Sequence, residues 1–173
     1  RERIALVNGV SLFGSGAGLT VLAPPDDTGG FLVGVENARL AGLALLTIAG
    51  EDTADGILVD GNGSLSLQRA IIRNTGTAIS VTGSSALATL VNNTLVSNDN
   101  GLIASQCGSV DLRNSILAYH QNTALGLQSC ATTSLHTYNA FWQNGQDLTI
   151  DGSPIDQPGP GELFANPRFT DPN

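Results

Sequence analysis

Hydrophobic and polar residues alternate in short runs along this chain, and the runs recur at a nearly constant interval. Residues 56–77, 78–100, 101–123 and 124–147 align as segments of 22, 23, 23 and 24 residues. Each opens with an alternating run: Ile57-Leu58-Val59-Asp60, Ile79-Ser80-Val81-Thr82, Leu102-Ile103-Ala104-Ser105 and Leu125-Gly126-Leu127-Gln128. A second run follows a turn, as in Leu65-Ser66-Leu67, Thr89-Leu90-Val91, Val110-Asp111-Leu112 and Leu135-His136-Thr137. A third closes the segment: Ala70-Ile71-Ile72, Thr94-Leu95-Val96, Ser115-Ile116-Leu117 and Ala140-Phe141-Trp142. Alternation with period two marks strands with one buried face, and the runs are too short for helices.

One coil of three short strands cannot bury its own apolar face, so successive coils must stack and their strands pair in parallel. The expected fold is all-β, a right-handed single-stranded parallel β-helix of about seven coils over residues 1–155. Looser coils at 4–22 and 31–55 begin it, and Leu148-Thr149-Ile150-Asp151 starts the last. Residues 156–173, rich in proline, read as an irregular tail, packed on the solenoid or leading to a further region.

Stacking turns the repeat into columns. Asn93, Asn114 and Asn139 fall just before the third strand in three consecutive coils and predict a ladder of hydrogen-bonded side chains. Cys107 and Cys130 each lie three residues past an aligned inward position. That register predicts a disulfide at one corner of adjacent coils, which fits an oxidising compartment. On the third strand Leu45, Ile71, Leu95, Ile116 and Phe141 are expected inward. Their neighbours Leu46, Ile72, Val96, Leu117 and Trp142 then form an apolar strip outside, beside the small Ala44, Ala70, Thr94, Ser115 and Ala140. An exposed strip of this kind marks an interface, unless the tail covers it with Phe164 and Phe169.

Composition narrows the function. The chain has 173 residues and a formal net charge of −8, which opposes binding to nucleic acid or an anionic membrane surface. No apolar run is long enough to cross a membrane as a helix. There is no lysine or methionine, and only two histidines and two cysteines.

The runs Ile4-Ala5-Leu6-Val7-Asn8-Gly9-Val10-Ser11-Leu12-Phe13-Gly14-Ser15-Gly16, Ala41-Gly42-Leu43-Ala44-Leu45 and Asn92-Asn93-Thr94-Leu95-Val96 resemble bacterial secreted right-handed β-helix repeat proteins of the pectate-lyase-like superfamily. The segment Leu163-Phe164-Ala165-Asn166-Pro167-Arg168-Phe169-Thr170-Asp171-Pro172 resembles the stretch after the last coil in many of them. The resemblance implies the fold and an extracellular or cell-surface location. It does not single out one activity, because the architecture serves lyases, hydrolases, adhesins and fibres. The clustered calcium ligands of the lyases and the Gly-His-Gly and Arg-Ile-Lys motifs of the polygalacturonases are missing, so no catalytic residue is assigned.

Other candidate chemistry is sparse. Asp26, Asp27, Glu51, Asp52 and Asp55 lie in loops that could meet at one edge and take calcium through oxygen, although solvated loops explain them as well. Asp60 and Asp151 occupy equivalent outward positions four coils apart, too far for paired-carboxylate chemistry. His120 falls on a corner and His136 on an outward strand position, with no nucleophile motif beside either. No cofactor is implied. The leading expectation is a non-enzymatic structural or adhesive module that associates with copies of itself or with another surface component. The alternatives are a lyase or hydrolase fragment, or a polysaccharide-binding β-helix with Trp142, Tyr119 or Tyr138 stacking on sugar rings.

Overall fold

The computed structural model describes residues 4–23, 30–36, 38, 41–44, 47–49, 54–129 and 134–168. Its strands return, coil after coil, to the same three sheets. The first sheet stacks Ile4–Ala5, Gly30–Glu36, Ala54–Asp60, Thr77–Thr82, Asn100–Ser105, Thr123–Leu127 and Gln146–Ile150, all parallel. An antiparallel Ser153–Pro154 ends it. The second stacks Ser11–Phe13, Ala41–Ala44, Ser64–Gln68, Leu87–Val91, Ser109–Arg113 and Leu135–Thr137. The third stacks Val21–Leu22, Thr47–Ala49, Ile71–Arg73, Thr94–Val96, Ile116–Ala118, Ala140–Trp142 and Leu163–Phe164. Among the described residues six coils therefore carry a strand in every sheet, and a seventh has strands in the first and third, slightly short of seven full coils. This is the parallel β-helix that the repeat predicts.

The core is a set of columns running along the axis. Val33, Ile57, Ile79, Leu102, Leu125 and Leu148 form one from the first sheet, and Leu67, Leu90 and Leu112 one from the second. Ile48, Ile72, Leu95, Leu117 and Phe141 form the column of the third, each with no exposed surface. Each such aliphatic side chain contributes about 1.5–3 kcal/mol by leaving water.

Both corners flanking the third sheet turn on one residue in the left-handed region. Before it stand Arg69, Asn92, Asn114, Tyr138 and Gly161; after it stand Asn74, Ser97, Tyr119 and Gln143. The residue that follows each of these points back toward the core.

The third strand corrects the sequence reading. Its inward residues are Ile72 and Leu117, register partners of Leu95, so these two belong to the core and not to an outer strip. Ile71 and Ile116, expected inward, lie in the outward column with Thr94 and Ala140. Val96 and Trp142 do face outward, half-buried. Leu45 and Leu46 lie outside the described residues, as do Cys130 and Phe169.

The tail is also more regular than expected. Leu163 pairs with Ala140 and Phe164 with Phe141, so the tail supplies one more strand of the third sheet. The rings of Phe141 and Phe164 meet edge to face, with centroids 5.6 Å apart at 89°. Phe164 thus closes the end of the core and does not lie across the outer strip.

Candidate functional site: two polar ladders and an apolar outer face

The first ladder runs along the corner between the second and third sheets. Asn93 Oδ1 accepts from the Ala70 N–H at 3.0 Å, and Asn93 Nδ2 donates to the Leu67 carbonyl at 3.0 Å. The Asn93 N–H donates to Ser115 Oγ at 3.1 Å, and the Ser115 N–H to Asn139 Oδ1 at 3.0 Å. Asn139 Nδ2 donates to the Leu112 carbonyl at 3.1 Å and to Glu162 Oε1 at 2.9 Å. Asn93 and Asn139 are therefore rungs. Asn114 is not: it is exposed at the left-handed position (φ 51°), and the adjacent buried Ser115 is the rung.

Glu162 ends this ladder at the capped end of the coil stack. Burial opposes its charge, but hydrogen bonds from His136, Asn139 and the Gly159 N–H, with the charge of His136, outweigh it and hold the carboxyl below its ordinary range. His136 Nδ1 lies 3.1 Å from both carboxylate oxygens. His136 is the register partner of the core residue Leu112, which corrects its expected outward placement. The tail packs closely on this pair. A β-carbon at Gly159 would sit 3.2 Å from the His136 ring, and one at Gly161 (φ 70°) would sit 2.3 Å from the Tyr138 ring.

A second ladder, not anticipated from the sequence, follows the corner after the third sheet. Asn98 Oδ1 accepts from the Thr75 N–H at 3.0 Å and the Thr75 hydroxyl at 2.8 Å, while Asn98 Nδ2 donates to the Ile72 carbonyl at 3.2 Å. The Asn98 N–H approaches His120 Nδ1 at 3.3 Å, and the His120 N–H donates to Asn144 Oδ1 at 3.0 Å. The readable signal was the polar residue three places after each inward residue: Thr75 after Ile72, Asn98 after Leu95, His120 after Leu117 and Asn144 after Phe141.

His120 is the unusual rung. Its Nε2 is buried without a hydrogen-bond partner among the described residues and faces Gly101, where a β-carbon would lie 2.9 Å away. Burial pushes its pKa down to about 4, against the opposing hydrogen bonds to the Asn98 and Leu95 backbone, so the ring is neutral at physiological pH.

Two outer surfaces remain. On the third sheet Ile71, Thr94, Ile116 and Ala140 form one half-buried column, extended by the exposed Leu163. Arg73, Val96, Ala118 and Trp142 form the next, Arg73 exposed at one end, and Tyr119 and Tyr138 stand exposed at the corners of the sheet. Ala118 has no exposed surface although its position faces outward, so its neighbours cover it. The outer face of the first sheet carries a trough of about 340 Å³ lined by Thr77, Ser80, Asn100, Ile103, Thr123, Gln128, Gln146, Thr149 and Gly152, none of them charged. Of the loop acids, Asp26, Asp27, Glu51 and Asp52 lie outside the described residues, and Asp55 accepts from the Thr77 N–H.

A protein-family profile described as periplasmic copper-binding protein (NosD) matches residues 25–156, more than half of the chain. The chain belongs to the NosD family. No curated protein and no solved structure matches it. The family is described as periplasmic, and among the described residues no helix is long and apolar enough to cross a membrane.

The NosD description invites a test of whether these residues suit copper, which imidazole, thiolate and thioether ligands hold best. The chain has no methionine. His120 is buried in a ladder, His136 Nδ1 is bonded to Glu162, and no cysteine is free among the described residues. No group of three or more His, Cys, Asp or Glu side chains is arranged for a metal among those residues either. Among the described residues, then, the donors do not assemble a copper centre.

Proposed function

We propose that this chain is a non-catalytic scaffold of the cell envelope that holds another envelope component, or a second copy of itself, against the outer face of its third sheet. The carrying observation is that face: Ile71, Ile116, Val96 and Trp142 form a low apolar ledge, bordered by the exposed Arg73 and by Tyr119 and Tyr138. Aromatic side chains at the centre of a flat apolar patch are the usual anchors of protein contacts. The coil stack beneath is tied by two ladders, so the face is presented rigidly and docking orders little else. Ile116→Asp places a charge in the middle of the ledge and is expected to abolish association in size-exclusion chromatography and in crosslinking within an envelope extract. Unchanged elution and crosslinks in that variant would rule the ledge out.

A second reading, retention of a neutral polysaccharide, draws on the uncharged trough of hydroxyl and amide groups on the first sheet. Glycan retention lost on Gln128→Ala but kept on Ile116→Asp would favour it over protein docking.

The scaffold is also proposed to carry a Cys107–Cys130 disulfide between neighbouring coils. Supporting this, no cysteine among the described residues is free, and Cys107 stands at a left-handed corner (φ 65°) just after the strand Asn100–Ser105. An intact mass two hydrogens below that of the reduced chain is expected. A mass equal to that of the dithiol chain would refute the pairing.

A further inference from the structure

We infer that this member of a family described as copper-binding holds no copper on its own side chains, because its two imidazoles are structural rungs that join adjacent coils. Copper(I) selects thiolate and thioether sulfur, and copper(II) selects imidazole with other nitrogen and oxygen donors in a tetragonal array. The thioether supply is nil, since methionine is absent. The thiol supply is two cysteines; Cys107 is not free, and Cys130 lies outside the described residues.

Nitrogen is as scarce, and both rings are already engaged. His120 presents Nδ1 to the Asn98 backbone, where the N–H and the carbonyl lie at 3.3 and 3.4 Å. Its Nε2 has no exposed surface and abuts the Gly101 backbone, so no ion can enter without parting two coils. His136 presents Nδ1 to a carboxylate that also receives Asn139 Nδ2 and the Gly159 N–H. A metal taking His136 Nδ1 would have to displace that arrangement and leave Glu162, buried with 5% exposure, facing the polar hydrogens of Asn139 and Gly159 alone. Metal-bound histidine normally works the other way, with one nitrogen on the metal and the second held by a carboxylate or carbonyl. Here only Nε2 of His136 remains for that role, and among the described residues no group of three His, Cys, Asp or Glu side chains is gathered about it. His120 fills a buried polar column, as Asn98 and Asn144 do at the same corner, while His136 takes the place of a core leucine on the second sheet and holds Glu162 of the capping segment.

The full chain is dialysed against copper(II) in air, or copper(I) under anaerobic conditions, each with an equimolar competing chelator. Metal content and thermal unfolding are then measured together. Far less than one copper per chain, with an unchanged unfolding temperature, is expected for the natural chain and for His136→Gln. One copper per chain, or a copper-dependent rise in unfolding temperature, would overturn the inference. Loss of that copper in His136→Gln would locate it at the capped end, and retention would place it on another side chain; either result counts against the proposal.

Discussion

The imidazole of His120 lies between Asn98 of the preceding coil and Asn144 of the next, and protonating it would put a cation where Nε2 is buried near Gly101 without a hydrogen-bond partner among the described residues. Its folded pKa of about 4 is below the ordinary 6.5, so the unfolded chain takes up the proton first as acid is added. Its contribution is then complete above pH 6.5 and is lost as pH falls toward 4. Across that window the loss approaches about 3 kcal/mol. Glu162, held below its ordinary 4.5, adds a further loss only at lower pH. Replacement by asparagine, the residue at the neighbouring rungs, should remove the first effect. Urea unfolding of His120→Asn is expected to show a flatter dependence between neutral pH and about pH 5 than the natural chain. Parallel curves for the two proteins would mean that another group controls the acid response.

Within one coil, the corner before the third strand shows what sequence alone could and could not reveal. The strand count, the parallel stacking and most inward columns were legible, because period-two alternation and the repeat length are written in hydrophobic residues. The register of the third strand was not. Asparagine serves two purposes at this corner: it tolerates the left-handed conformation, as at Asn92 and Asn114, and it forms the buried rung, as at Asn93 and Asn139. Aligning Asn114 with Asn93 moves a coil by one residue, and one residue exchanges the two faces of a strand. That slip sent Leu117 outward, and the same one-residue slip in the coil before Asn93 did so for Ile72. The distance from rung to core is constant once the rungs are correct: Ala70 to Ile72, Asn93 to Leu95, Ser115 to Leu117, Asn139 to Phe141 and Glu162 to Phe164. The two uses of asparagine separate on mutation. Asn93→Ala strands the Ala70 N–H and the Leu67 carbonyl and should cost about 2–4 kcal/mol in denaturant unfolding. Asn114→Gly keeps the turn and removes no rung, so it should change stability by no more than about 0.5 kcal/mol. Equal effects would indicate that both asparagines do the same work.

At the scale of the whole molecule, the solenoid has two unlike ends. Exposed Val7, Val10, Phe13, Leu19 and Val21 surround the first coil, and its three strands are the outermost of their sheets. The other end is closed by Phe164 over Phe141, by Glu162 on His136 and Asn139, and by glycines that let the tail lie flat on two rings. In a stack where each coil touches only its neighbours, stability is a sum of local terms, so damage at one end should stay near that end. Phe164→Ala removes the stopper from the core column. As the side chain is only half-buried, the local cost is about 2–3 kcal/mol, below that of a wholly buried phenylalanine. Hydrogen exchange is expected to speed up in the strands Leu135–Thr137, Ala140–Trp142 and Gln146–Ile150. Amides in Thr77–Thr82 and Leu87–Val91 should keep their natural rates, because two whole coils lie between them and the cap. Uniform acceleration along the chain would show instead that the stack opens as a single cooperative unit. The ledge around Trp142, one coil from the cap, would then owe its rigidity to every coil at once and not to its immediate neighbours.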